Sequence, residues 1–136
     1  MSRFEERKSD YKNATTKLEE ALSENLENLS ENAKQIIIDG VLHRFEFTFE
    51  LAWKTMKDYL EYMGITSKIG SPRENIQQAF KQGLIEDGEI WIEIMLARNE
   101  LSYLYDEQTS RKVYNNIKNK YIKEFKKLEE KFEQIL

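Results

Sequence analysis

There is no cysteine in these 136 residues. Disulfides, thiolate metal ligands and cysteine nucleophiles are therefore excluded. A single histidine, His43, rules out a multi-histidine zinc site. One proline and 5 glycines are too few for the many turns of a sheet protein. No apolar run approaches the roughly 20 residues needed to span a bilayer. Met1-Ser2-Arg3-Phe4 opens a charged segment without a signal-peptide pattern. There is no basic excess either, since the net charge is −4, which argues against a protein that coats nucleic acid. A local basic patch stays compatible with that balance. These absences describe a soluble, cytoplasmic chain folded as one domain over residues 1–136, with no membrane contact and no metal or cofactor expected.

What is present is 34% charged residues, mostly Glu and Lys, set among Leu, Ile and Asn. That mixture is typical of helical bundles. The spacing predicts a first helix from about Arg3 to Leu22, with one narrow apolar stripe. Ser30 is a good N-cap for a second helix of roughly 33 residues, ending near Met63 and Gly64, about 50 Å long. Gly40 lies inside it and is expected to weaken or bend it. Ser71-Pro72-Arg73-Glu74 is a capping box with proline at the first helical position. It starts a short third helix whose buried side is expected to be Ile76, Ala79 and Phe80. Asp87 caps a fourth helix, and Thr109 or Ser110 a last one, in which Tyr114, Ile117, Tyr121, Phe125, Leu128, Phe132 and Ile135 keep a 3–4 spacing. The expected architecture is all-α: an up-and-down antiparallel four-helix bundle with one extra short helix.

The fourth helix carries the unusual chemistry. Ile90, Trp91, Ile92, Ile94, Met95 and Leu96 surround the helical wheel, which predicts a helix buried on every side. Arg98, Asn99 and Glu100 then enter this apolar rod, followed by Ser102, Tyr103 and Tyr105. A charge on a buried helix costs free energy unless it is paired or faces a groove. A salt bridge from Arg98 to Glu50 or Glu46 would satisfy that condition, and so would a phosphate held by the guanidinium. The two are compatible if a carboxylate orients the arginine.

One ordered set of residues is more specific than the composition. Phe47-Thr48-Phe49-Glu50-Leu51-Ala52-Trp53-Lys54 is followed by Ser71-Pro72-Arg73, Ala79-Phe80, Gly83-Leu84-Ile85 and Asp87. Trp91, Met95-Leu96, Arg98-Asn99 and Tyr105-Asp106-Glu107 complete it. In this order and spacing the chain resembles the nucleotidyltransferase substrate-binding protein family, part of the HEPN group of helical bundles. The resemblance covers about Asp39 to Tyr121 and implies a small bundle that forms a homodimer. It also implies a partner, a minimal nucleotidyltransferase encoded nearby, in a toxin–antitoxin-like pair, with a nucleotide as the candidate ligand.

The nuclease branch of that group uses an Arg, a polar residue and a His four to six residues on, as a metal-independent RNase site. A Tyr two residues after the His can accept AMP. Arg98 and Asn99 match the first two positions, Tyr103 stands where the His would be, and Tyr105 matches the acceptor. An RNase without metal needs a base with a pKa near neutrality, and tyrosine, at about 10, suits that task poorly. Residues 98 and 103 also lie about 140° apart on an ideal helix, so they converge only through a distortion near Ser102 or a second protomer. The expected role is therefore a non-catalytic subunit that binds a nucleotide or substrate, with an RNase toxin using Arg98, Asn99 and Tyr103 as the alternative. RNA is a secondary candidate ligand. The residues expected at the site are Arg98, Asn99, Tyr105, Glu50, Trp53 and Arg73. For Trp53 the competing role is core packing, and for Arg73 a helix-start surface charge.

Overall fold

The computed structural model describes residues 3–103 and 106–135, the Tyr103 side chain excepted. All its regular structure is helical: α1 (Arg3–Leu22), α2 (Glu31–Tyr62), α3 (Pro72–Lys81), α4 (Gly88–Tyr103), α5 (Glu107–Asn116) and α6 (Ile122–Gln134). Between α5 and α6, Ile117–Tyr121 form a π-helical turn, closed by the Ile122 N–H donating to the Ile117 carbonyl. The last two helices are thus one long rod with a bulge. No helix among the described residues is long and apolar enough to cross a membrane.

The serine caps form as the sequence predicts. Ser30 Oγ accepts from the Ala33 N–H at 3.1 Å, and Ser71 Oγ from the Glu74 N–H at 3.2 Å. α2 and α3 end in the same way. Gly64 (φ 87°) and Gly83 (φ 75°) take the left-handed conformation that L-residues with a Cβ avoid. The next residues then reach back, Ile65 N–H to the Leu60 carbonyl and Leu84 N–H to the Ala79 carbonyl, both at 2.9 Å.

Contacts between helices fix their directions. Arg7 meets Asp58 and Arg44 meets the Lys17 carbonyl, so α1 and α2 are antiparallel. Lys8 reaches the Ile135 carbonyl and Lys126 reaches Glu19, so α1 and α6 are antiparallel too. Trp91 packs on Phe125 and Glu100 pairs with Lys112, which turns α4 against the last rod. The outcome is the expected up-and-down four-helix bundle, with α3 as the extra short helix. Its centre is aromatic: Phe45 stacks on Tyr121 and tilts against Phe125, with centroids 5.9 Å apart in both cases. The Trp91 ring meets Phe125 edge-on at 5.5 Å.

Three local expectations need correction. Phe80 is 52% exposed, and Asn75 takes the buried place beside Ile76 and Ala79, donating to the Ile69 and Ser71 carbonyls. Gly88 makes room for the displaced Phe80 ring, which lies against its Cα where a Cβ would come within 3.2 Å. α4 is not buried all round, for Leu96 is 50% exposed while Trp91, Ile94 and Met95 face the core. The last rod starts earlier than Thr109 or Ser110, because Asp106 supplies the cap and accepts from the Thr109 N–H at 2.7 Å.

Tyr11 is fully buried and donates to the Phe125 carbonyl at 2.7 Å, tying α1 to α6. Tyr11→Phe should therefore lower stability in urea unfolding by about 1–2 kcal/mol with helical content unchanged. An unchanged midpoint would mean that this bond does not hold the two helices.

Candidate functional site

The strip of polar residues on α4 meets α2 through one carboxylate. α4 meets α2 where Arg98 reaches Phe49 and Glu50. Arg98 Nη2 donates to Glu50 Oε2 at 2.5 Å. The same oxygen accepts from the Trp53 indole N–H at 3.1 Å. Lys54 Nζ approaches Glu50 Oε1 at 3.3 Å, one helical turn along. The Arg98 guanidinium lies over the Phe49 ring, 5.7 Å from its centroid. Three donors and an aromatic face thus hold one acid–base pair in place.

The cluster lies at the rim of the bundle. The Arg98 and Glu50 side chains are 27% and 32% exposed. Burial pushes the Glu50 carboxyl up, but hydrogen bonds from Trp53 and Lys54 and the charges of Arg98 and Lys54 outweigh it and hold Glu50 below the usual glutamate range. Glu50 is therefore charged at neutral pH. A guanidinium carries five N–H donors, and one of them goes to Glu50. Arg98 is thus oriented by a charged carboxylate, and among the described residues its other donors have no hydrogen-bond partner, so an anion at the rim can use them.

Of the expected site residues, the fold brings Arg98, Glu50 and Trp53 together. Asn99 is half-buried beside Arg98 on α4. Trp53 is half-buried too, with its N–H committed to Glu50, so it supports the pair as well as packing. Arg73 is exposed in the first turn of α3 and shares no hydrogen bond or ion pair with this cluster among the described residues. Tyr105 and the side chain of Tyr103 lie outside the described residues. Phe49 is the cluster member that sequence reading missed. Its adjacency to Glu50 was the available signal, but its core periodicity hid the contact with Arg98.

A second carboxylate on α4 is used structurally. Glu93 accepts from the Tyr121 hydroxyl at 2.7 Å and pairs with Lys120 at 3.3 Å. The Tyr121 hydroxyl is pushed well above its ordinary value by burial and by Glu93, so it remains a neutral donor. Among the described residues no group of three or more His, Cys, Asp or Glu side chains is placed to hold a metal ion. Two grooves lie elsewhere. One of about 430 Å³ between α1 and α2 is lined by Ala14, His43, Phe47 and Leu51, and one of about 420 Å³ beside Phe80 reaches Glu86 and Glu89.

Two outcomes are expected for stability. Arg98→Ala should cost no more than about 1 kcal/mol, because the pair is partly exposed and Glu50 keeps Trp53 and Lys54. Glu50's folded pKa lies below its unfolded value, so its charge stabilises the fold fully above the usual glutamate range. That contribution fades as pH falls through the folded value. Asp58 acts in the opposite sense, since burial, only partly offset by Arg7, raises its pKa. Glu50→Gln should accordingly flatten the acid arm of a stability–pH curve measured by urea unfolding. An acid arm identical to wild type would show that the Glu50 carboxylate is not held in this way.

Comparison with known proteins gives the family and the fold. The family described as "Nucleotidyltransferase substrate binding protein like" matches residues 6–134. A relative from Haemophilus influenzae, named "Probable ribonuclease HepT", is 34% identical over 84 residues, which is 60% of this chain and 58% of that protein's length. The chain thus matches less than two thirds of that curated relative. The solved structure of HI0074, also from Haemophilus influenzae, is described as the fold of a substrate binding domain of a nucleotidyltransferase. It superposes with a TM-score of 0.84 at 27% identity, covering 93% of this chain and 99% of that one. A crystal structure from Thermus thermophilus shares the fold with a TM-score of 0.70 at 24% identity, over 91% of this chain and 96% of that one. With a match spanning nearly its whole length, the chain belongs to the nucleotidyltransferase substrate-binding protein family.

Proposed function

We propose that this protein is a non-catalytic subunit that binds a nucleotide or similar anionic substrate, forms a homodimer, and partners a separate minimal nucleotidyltransferase in a toxin–antitoxin-like pair. The observation that carries this reading is the Arg98–Glu50 pair, held at the rim by Trp53 and Lys54 with guanidinium donors to spare. The HI0074 description, a substrate binding domain of a nucleotidyltransferase, supports the same class. In this reading Arg98 clamps a phosphate, Asn99 adds a polar contact beside it, and the half-buried Trp53 gives an apolar wall for a base. Arg73 is a separate phosphate contact only if the ligand extends to the start of α3. Tyr105, seven residues beyond Arg98, is the proposed acceptor if the partner transfers AMP to this chain. The transferred group would come from ATP, with the Tyr105 oxygen bonding to the α-phosphorus and pyrophosphate leaving.

The alternative is an RNase toxin using Arg98, Asn99 and Tyr103, favoured by the name of the Haemophilus influenzae relative. The chemistry weighs against it. Cleavage through the 2′-hydroxyl needs a base near neutrality, and this sequence has its only histidine at position 43 on the exposed side of α2.

Co-expression with the neighbouring nucleotidyltransferase should give a complex that co-purifies, and a clean failure to associate would sink the partnership. Incubating that complex with ATP and reading peptides by mass spectrometry should place AMP on Tyr105 and not on Tyr105→Phe. An unmodified Tyr105 removes the acceptor role and leaves the binding role standing. Purified protein should leave RNA intact. Cleavage that Arg98→Ala abolishes would replace this reading with the nuclease.

A further inference from the structure

Where α3 ends and α4 begins, the surface carries an apolar groove ringed by acids. Its volume is about 420 Å³. Ile76 is its buried floor, and Phe80, 52% exposed, is its wall. The Phe80 ring is fixed in place, since it lies on Gly88 where a Cβ would come within 3.2 Å. An exposed ring that is already fixed loses little freedom when a partner covers it. Glu86, Asp87 and Glu89 stand round the groove, all of them exposed. None of the three forms an ion pair among the described residues, although Lys81 follows Phe80 directly. Asp87 also accepts from the Ile90 N–H at 3.2 Å as the cap of α4, which leaves its charge in place.

The charge decides what fits there. Three carboxylates repel phosphate, which disfavours a nucleotide, RNA or an anionic membrane. A second copy placed about a two-fold axis through the groove would set acid against acid. Among the described residues no group of acids is placed to hold a metal ion. A cationic protein segment carrying a large apolar side chain satisfies both the ring and the rim.

We propose that this groove docks the partner nucleotidyltransferase, through a Lys- or Arg-rich segment of that enzyme whose apolar side chain enters beside Phe80. The inference rests on the partnership proposed above and gives it a surface. α4 leads from the groove to the polar cluster, for Arg98 lies ten residues beyond Gly88, about 15 Å along the helix axis. A single small domain spans that distance, so an enzyme seated beside Phe80 can reach the anion that Arg98 holds. Leu96, 50% exposed, lies seven residues beyond Glu89 and extends the contact along the same face of α4.

Binding to the purified neighbouring nucleotidyltransferase, followed by surface plasmon resonance, tests this surface. Phe80→Ser and Glu86→Lys both change exposed side chains and should keep wild-type helical content by circular dichroism. Each should raise the dissociation constant at least tenfold. For Glu86→Lys the loss should lie mainly in slower association. Wild-type association should slow as salt is added, and that of Glu86→Lys should slow less. Tyr62→Ser removes an exposed aromatic that stacks on Phe4 of α1, and it should bind as wild type. Wild-type affinity in both Phe80→Ser and Glu86→Lys, or an equal loss in Tyr62→Ser, would overturn this surface and leave the partnership standing. Association indifferent to salt would overturn the cationic segment. No binding by the wild-type protein would instead sink the partnership itself, and this surface with it.

Discussion

The arrangement depends on a single aromatic layer. Phe45 of α2 reaches across the bundle to Tyr121 and Phe125, and Trp91 of α4 closes on Phe125 from the other side. These rings are fully buried, and side chains of this size dominate the packing energy of a small core. They set α2, α4 and the last rod at one level. Glu50 of α2 meets Arg98 of α4 outside this layer. The Arg98 guanidinium there rests on the fully buried Phe49 ring, so apolar packing also lies beneath the polar cluster.

The π-helical turn belongs to the same layer. An α-helix that gains one residue in a turn rotates every residue beyond it, and such turns are frequent where a side chain must be aimed. Here the turn ends at Tyr121, whose ring stacks on Phe45 while its hydroxyl meets Glu93. One residue thereby joins core packing to a polar tie with α4. Around the Glu50 cluster the logic is similar. A carboxylate with three donors loses little on partial burial, and it keeps a guanidinium oriented with donors to spare.

Much of this was legible in the residues. The serine caps, the Pro72 start and the glycine stops are local chemistry, so α1, α2 and α3 fall where the spacing predicts. The Arg98–Glu50 pair comes from the cost of an unpaired charge on an apolar helix, which limits the partners to carboxylates on the adjoining helix. The rest depends on tertiary geometry. The exposure of Phe80 comes from Asn75, whose side chain satisfies two loop carbonyls and takes the inner position. Leu96 is open because α4 packs on one side against the bundle, which periodicity alone does not reveal. A π turn leaves no mark in a 3–4 pattern, since one extra residue reads as an ordinary spacing of four. Asp106 competes with Thr109 and Ser110 as a cap in the sequence, and only the backbone decides between them, with its carboxylate accepting from Thr109 itself.

The proposed role reduces to one physical statement: an arginine held by a carboxylate at the rim of a helical bundle grips the phosphate of a nucleotide. Isothermal titration of ATP into the purified protein addresses it directly, with Arg98→Ala as the comparison. Binding should be measurable and should weaken at least tenfold in the variant, as loss of a charge-assisted contact of about 1.5–3 kcal/mol requires. Equal affinity for the two proteins would contradict it.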